Sequence, residues 1–258
     1  MKVTAGVVQM DVRLGDVSGN LARAVSGLRR LAGRGVNLAA LPEMWSAGFD
    51  YPRLTEHAER TPELLERLAR EARELGLSIV GSLPESTPEG VANSSFFVDE
   101  KGVRRPPYRK VHLFSPTGED RRFAAGDRAV VLDTPLGRIG LIICYDLRFP
   151  EIARKTAEMG AEILVIPAQW PVARARHWDV LATARAVENQ VFVIAANRCG
   201  ADKDTLFAGR SKIVSPWGNI LARAGKRPAT ISASLDFGEM ASFREKIPCW
   251  RDRKSILY

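Results

Sequence analysis

The sequence predicts an α/β fold, with mixed β-sheets and helices on the outside in one domain spanning residues 1–258. Three observations predict it. Short β-rich runs alternate with helix-like runs from end to end. Several of the β-rich runs are continuously apolar, as strands covered on both faces must be. No Ser/Gly-rich linker, composition break or internal repeat divides the chain. A chain of 258 residues buries most of its apolar surface, so its stability needs no disulfide or metal staple.

Taken in order, Thr4–Gln9 reads as an apolar strand, Ser18–Ala32 as a helix and Asn37–Leu41 as a short strand. Thr61-Pro62-Glu63 carries helix-start chemistry: a capping hydroxyl, a proline in the first turn, and an acid near the positive end of the dipole. The helix runs over Pro62–Leu75 and stops at Gly76. Its Glu63, Glu66, Glu71 and Glu74 intersperse with Arg67, Arg70 and Arg73, the pattern of a solvated face laced with ion pairs. Strands follow at Ser78–Ser82 and Ser94–Asp99. Ala129–Thr134 and Ile139–Ile143 flank a turn at Pro135-Leu136-Gly137. Phe149–Met159 is a helix closed by Gly160, Ile163–Ala168 a strand, and Ala175–Asn189 a helix. Val191–Asn197, Ser211–Ser215 and Thr230–Leu235 complete the strands, with a turn at Ser215-Pro216-Trp217-Gly218-Asn219. Phe243–Tyr258 is basic and aromatic, lacks a helix or strand pattern, and is expected to pack on a partner subunit rather than on its own core.

The net charge of +8 comes from arginines scattered through helix-like segments, and no basic run alternates with aromatics, so nucleic acid is not expected as a partner. No run approaches the ~18 apolar residues of a membrane span, and the opening MKVTAGVVQM lacks the features of a secretion signal. Cys144, Cys199 and Cys249 form no CxxC pair, which argues against a disulfide framework and favours a reducing, cytoplasmic setting. His57, His112 and His177 are far apart, so no metal site is expected; no phosphate or dinucleotide loop occurs, and no cofactor is expected. Gly209-Arg210-Ser211-Lys212-Ile213 is not a GxSxG elbow, which disfavours a serine hydrolase.

The sharpest local feature is the apolar run Ile139–Ile143 leading into Cys144, a turn and a helix. A cysteine on such a corner, with free N–H groups after it, is presented as a nucleophile and favoured as a thiolate. The plain alternative is a buried strand-end cysteine. Glu43 follows the apolar run Leu38–Pro42 and Lys110 lies in an aromatic and apolar setting, although singly each reads more readily as a loop acid and a snorkelling surface lysine. Together they supply what thiol chemistry needs: a base for a group with pKa about 8.5, and a cation for an anionic intermediate.

These segments resemble the nitrilase superfamily of carbon–nitrogen hydrolases, whose members carry Glu, Lys and Cys in this chain order. Leu41-Pro42-Glu43-Met44, Tyr108–Phe114 and Cys144–Glu151 are similar to its three motif segments, and the resemblance extends through Gln9, Ala184–Asn189, Gly209-Arg210-Ser211 and Pro216-Trp217-Gly218. It implies a four-layer α-β-β-α sandwich with mixed β-sheets, no metal, and a homodimer. It also implies a second acid after the lysine, for which Glu119 fits, with Asp120 one residue away. The implied reaction is hydrolysis of a small-molecule amide through a thioester on Cys144. Glu43 is the general base and acid, and Lys110 and the Tyr145 N–H stabilise the oxyanion. The cysteine segment is closer to the amidase branches than to true nitrilases, where a Trp-Glu pair follows the cysteine. This favours an ω-amidase acting on a carboxylated amide such as 2-oxoglutaramate. N-carbamoyl amino acid hydrolysis, deaminated-glutathione amidase activity, a redox-sensing thiol and a non-catalytic binding relative are the alternatives. Arg148 is expected to pair with a substrate carboxylate or, alternatively, to form a structural salt bridge. Trp170 and Pro171 are expected to line the pocket, and His112 to pack near Lys110.

Overall fold

The computed structural model describes residues 3–202 and 205–254. In chain order its elements are β1 (Val3–Gln9), α1 (Val17–Ala32), β2 (Leu38–Ala40), α2 (Leu54–Glu59), α3 (Thr61–Leu75), β3 (Ser78–Thr87), β4 (Gly90–Val98) and β5 (Tyr108–Arg109). Then come β6 (Val130–Thr134), β7 (Gly137–Leu141), α4 (Pro150–Glu158), β8 (Ile163–Ala168), α5 (Ala175–Asn189) and β9 (Phe192–Asn197). The chain continues with β10 (Ala201–Asp202), β11 (Thr205–Leu206), β12 (Lys212–Val214), β13 (Ile220–Arg223), β14 (Ala229–Leu235), α6 (Phe237–Lys246) and α7 (Cys249–Asp252).

Two six-stranded mixed sheets, ordered β14-β1-β2-β3-β4-β5 and β13-β12-β9-β8-β7-β6, form the two inner layers. In the first, β1, β2 and β3 run parallel with Ala5 opposite Leu38 and Leu38 opposite Ser78, while β14 and β4 are antiparallel neighbours. In the second, β7, β8 and β9 run parallel, with Ile139 opposite Ile163 and Ile163 opposite Phe192. Side chains alternate across a strand, so each sheet divides its apolar residues between two cores. Val3, Ala5 and Val7 meet Ile139, Leu141, Ile163 and Phe192 between the sheets. Val8 and Ile79 face α1 and α3, and Leu164 and Val193 face α4 and α5. This double coverage explains the unbroken apolar runs, and the order of layers is helix, sheet, sheet, helix. Among the described residues no helix is long and apolar enough to cross a membrane.

Several expectations are corrected. The strand at Ser78 continues to Thr87 and forms a hairpin with β4, although Pro84 sits inside it; Pro84 lies opposite Asn93, beyond the residues Ser78, Ile79 and Val80 that pair with β2 on the other side. The ladder of β7 stops at Leu141 instead of Ile143, because the Ile143 N–H donates to Asp146 Oδ2 at 2.9 Å. Thr61 does not cap α3; its hydroxyl donates to the Pro84 carbonyl at 2.5 Å and so ties the helix to β3. Glu71 is not on a solvated face: it is buried and accepts from Arg67 and Arg29, whose stems reach over from α3 and α1. The segment from Phe243 is also revised. Asp236 caps α6 by accepting from the Gly238 and Glu239 N–H groups, and Met240 and Phe243 bury one face of that helix. Phe243 stacks on Trp217 at 3.9 Å, and Trp250 packs against the core beneath α4 and α5, with Arg154 5.0 Å above its ring. As far as Trp250 this segment packs on the chain's own core; residues 255–258 of that expectation lie outside the described part.

Candidate active site

In parallel sheets the chain leaves each strand on the same side, so residues just past the carboxyl ends converge. Here the residues after β2, β7 and β8 are Leu41-Pro42-Glu43, Ile142-Ile143-Cys144 and Gln169-Trp170. Lys110 follows β5 at the edge of the first sheet, where its N–H donates to the Asn93 carbonyl at 2.9 Å. Gly126 crosses directly over this segment, donating to the Lys110 carbonyl at 2.8 Å; a Cβ there would stand 2.2 Å from the Arg109 carbonyl oxygen. Glu43, Glu119 and Cys144 line one cavity of about 690 Å³, and Lys110 is buried against both acids.

Cys144 sits in a left-handed conformation, φ 44°, at the head of a 3₁₀ turn over Cys144–Arg148 that leads to Pro150 and α4. A non-glycine residue there carries strain of about 1–3 kcal/mol that its surroundings must hold. Asp146 is the clamp. Its Oδ2 accepts from the Ile143 N–H at 2.9 Å and the Tyr108 hydroxyl at 2.7 Å, and its Oδ1 from the His112 N–H at 2.9 Å. The His112 ring, with Nδ1 2.8 Å from the same Oδ1, stacks on Phe149 at 3.7 Å. The cysteine corner is therefore tied to both sides of Lys110. The first N–H groups of this turn, Tyr145 among them, have no intrahelical acceptor and are available to an anion.

Met44, beside Glu43, is the matching strained residue, φ 45°. Its N–H donates to Ser82 Oγ, Ser82 Oγ to Asn93 Oδ1, both at 2.8 Å, and Asn93 Nδ2 to Glu43 Oε1 at 2.9 Å. Lys110 Nζ donates to the same Oε1 at 2.8 Å, and the Gln169 N–H to Oε2 at 2.9 Å. Gln169 Nε2 also donates to the Glu43 carbonyl at 2.8 Å, while its Oε1 accepts from the buried Arg198 at 3.0 Å. With two donors on Oε1 and one on Oε2, a lone pair of Oε2 is left to accept a further proton.

Lys110 bridges the two acids, donating to Glu119 Oε2 at 2.7 Å as well. That oxygen also accepts the Phe114 N–H at 3.0 Å, and Asp120, the neighbouring candidate, is exposed. Burial alone would depress the Lys110 pKa, but the charges of Glu43 and Glu119 overcome it and hold the ammonium well above the ordinary lysine range. Burial raises Glu119 against the pull of Lys110.

The structure overturns one electrostatic expectation. Burial first, then the Glu43 charge, push the Cys144 thiol well above its ordinary range despite Lys110. Burial disfavours the thiolate more than the free N–H groups of the turn favour it, and the charges of Glu43 and then Glu119 add to that. An acid with a raised pKa gains its anion only as pH climbs. Alkylation of Cys144 by iodoacetamide, followed as mass on the Cys144 peptide, is expected to keep accelerating beyond about pH 8.5. A rate already level below about pH 7 would mean a preformed thiolate and contradict this account.

The cavity wall opposite the acids is aromatic and cationic. Tyr145 meets Phe114 and Phe149 edge-on at 4.9 and 5.2 Å. The Arg148 guanidinium lies 4.7 Å above the Trp170 ring, beside His177 Nδ1 at 3.3 Å, and among the described residues it has no carboxylate partner. The structural salt bridge weighed for it is thus not formed. Trp170, nearly fully buried, lines the cavity and donates from Nε1 to the Arg174 carbonyl at 2.8 Å. Sequence reading missed Asn93, Asp146, Gln169 and Arg174. Asp146 and Gln169 had a positional signal, two residues after the cysteine and at a strand end; Asn93 and Arg174 had none.

A family model described as carbon-nitrogen hydrolase matches residues 4–245. The chain is 36% identical over 260 residues to a 2-oxoglutaramate amidase of Bacillus subtilis (strain 168), covering 100% of both chains. It is 34% identical over 252 residues to omega-amidase NIT2 of Homo sapiens, covering 93% of this chain and 91% of the relative. Among solved structures, an amidase from Nesterenkonia sp. AN1 with acrylamide added at its active site cysteine superposes with a TM-score of 0.85 at 28% identity, covering 95% of this chain and 98% of that one.

Proposed function

Because this chain belongs to the carbon–nitrogen hydrolase family, we propose that it is a cysteine-dependent ω-amidase that hydrolyses a small carboxylated amide of the 2-oxoglutaramate type. The observation that carries this reading is the Lys110-bridged pair Glu43 and Glu119 lining one cavity with Cys144 and with the Arg148 guanidinium, which has no carboxylate partner among the described residues.

Glu43 Oε2 accepts the thiol proton as Sγ bonds to the amide carbon. The raised thiol pKa makes this base necessary, and coupling deprotonation to attack spares the free enzyme a buried thiolate. The carbonyl oxygen becomes an anion facing the Lys110 ammonium and the Tyr145 N–H. As the C–N bond breaks, Glu43 returns the proton to nitrogen, ammonia leaves, and a thioester remains on Cys144. Water enters, gives a proton to Glu43 and attacks the thioester carbon. Collapse frees the acid, and the proton on Glu43 goes back to sulfur. Glu119 keeps Lys110 charged and fixed, so that the ammonium is not drawn wholly onto Glu43.

Arg148, its guanidinium 4.7 Å above the Trp170 ring, is placed to take the distal carboxylate of the acyl group. The Arg148→Ala variant is expected to raise KM for ω-amides bearing a carboxylate by roughly 10- to 100-fold while changing KM for neutral amides little. Equal changes for both would remove Arg148 from this role. Ammonia release across ω-amides, nitriles, N-carbamoyl acids and deaminated glutathione tests the reading as a whole, with a covalent mass adduct on Cys144 as the companion measurement. An active panel member that leaves Cys144 unmodified would oppose it.

The finer assignments rest on weaker supports. A homodimer is supported by exposed Val180 and Val187 on α5 and by Trp217, Ile220 and Leu221 nearby, where Gly218 packs against Val187. Three free cysteines accord with a cytoplasmic setting.

A further inference from the structure

We propose that Arg174 is a second specificity-determining residue and that the preferred acyl groups carry two negative charges, one met by Arg148 and the other by Arg174. The inference rests on the amidase reading above and goes beyond its one-carboxylate example, which would engage Arg148 alone, to acyl groups whose second carboxylate engages Arg174. Both guanidiniums line the cavity that holds Cys144. They stand on different rings, Arg148 4.7 Å above Trp170 and Arg174 5.2 Å above Phe114, so each is held by its own aromatic support. The Trp170 indole also grips the Arg174 backbone, which fixes the two arginines relative to each other.

Neither has a carboxylate partner among the described residues. Of the acids lining the cavity, Glu43 and Glu119 are committed to Lys110, and Asp202 exerts its charge on the buried Arg198. Two cations converging on one partly enclosed space repel each other, and Arg174 lowers the pKa of Arg148, after burial, as that repulsion requires. A single carboxylate leaves one positive charge unanswered; two satisfy both. The space permits it, because about 690 Å³ is room for roughly twenty waters at about 30 Å³ each, far more than a small ω-amide fills.

The test is a ladder of three related amides: butyramide, succinamate, and the terminal monoamide of tricarballylic acid, which carry no, one and two carboxylates. Ammonia release by the wild type is expected to rise in kcat/KM at each step. Arg174→Gln is expected to lose roughly 10- to 100-fold on the dicarboxylate amide while staying within about twofold on butyramide and succinamate. Arg174→Lys, which keeps the charge, is expected to recover part of the loss. A uniform drop on all three substrates, no drop on the dicarboxylate amide, or a wild type that turns over succinamate as well as the dicarboxylate overturns the proposal while leaving the amidase reading in place. Silence of the wild type on all three, with no acyl adduct on Cys144, overturns the amidase reading itself.

Discussion

Replacing Cys144 with alanine is expected to lower ammonia release by on the order of 10⁶-fold, the scale seen when a covalent nucleophile is removed. The sulfur is the only protein atom in the proposed cycle that bonds to the substrate carbon, so no neighbour substitutes for it. Glu43, Lys110 and the Tyr145 N–H remain, yet they have only bulk water to activate. Folding should survive the change. The Cys144 side chain keeps part of its surface open to the cavity, and the corner is held through Asp146 and its four polar contacts rather than through the sulfur. Alanine meets the φ of 44° with no more branching at Cβ than cysteine has. The measurement pairs an ammonia assay with thermal unfolding. A variant that keeps its melting temperature and still releases ammonia within about 100-fold of wild type would end the nucleophile assignment.

Lys110→Met is expected to damage both stability and rate. In the wild type one ammonium, fully buried, lies 2.8 Å from Glu43 and 2.7 Å from Glu119. Removing it leaves two buried carboxylates facing each other without a cation, and breaking a buried ion pair in this way costs about 3–5 kcal/mol. For a chain of this size that is a fall in Tm on the order of 10 °C. The sign of the pH dependence differs between the two proteins. Lys110 has a folded pKa above its unfolded value, so its stabilisation is complete below the unfolded value near about 10.4 and is lost only as pH rises through the folded one. In the variant the facing carboxylates bind protons more readily folded than unfolded, so its stability should instead improve as pH falls from about 7 to 5. The turnover loss should be at least about 10²- to 10³-fold, from the missing oxyanion partner. A Lys110→Met protein with wild-type Tm across that pH range would mean that the three charges are not coupled as described.

These two variants probe residues that the sequence marks, and the route by which it marks them sets what was legible. Glu43 and Cys144 each stand at the end of an apolar run and Lys110 lies in an aromatic and apolar setting, local patterns all, and the alternation of apolar runs with helix-like segments was enough for the α/β class. Arg148 and Trp170 were reachable for the same reason, one lying a turn after the cysteine and the other after a strand. The short elements at Leu54–Glu59 and Ile220–Arg223 were not legible, because brief segments take their conformation from what they pack on more than from their own pattern.

By itself the amino-acid order determined the layered class, the family resemblance and the identity of the thiol, carboxylate and ammonium. Only the tertiary structure decided how they are coupled: Asn93 and Gln169 on Glu43, Asp146 spanning the cysteine corner and the lysine segment, and Glu119 rather than Asp120 on Lys110. It also decided the direction in which burial and the Glu43 charge move the Cys144 thiol, upward from its ordinary range. Periodicity reports which side of an element is buried. A pKa and a hydrogen-bond partner depend on distances between groups up to 126 residues apart, set when the two sheets close on each other.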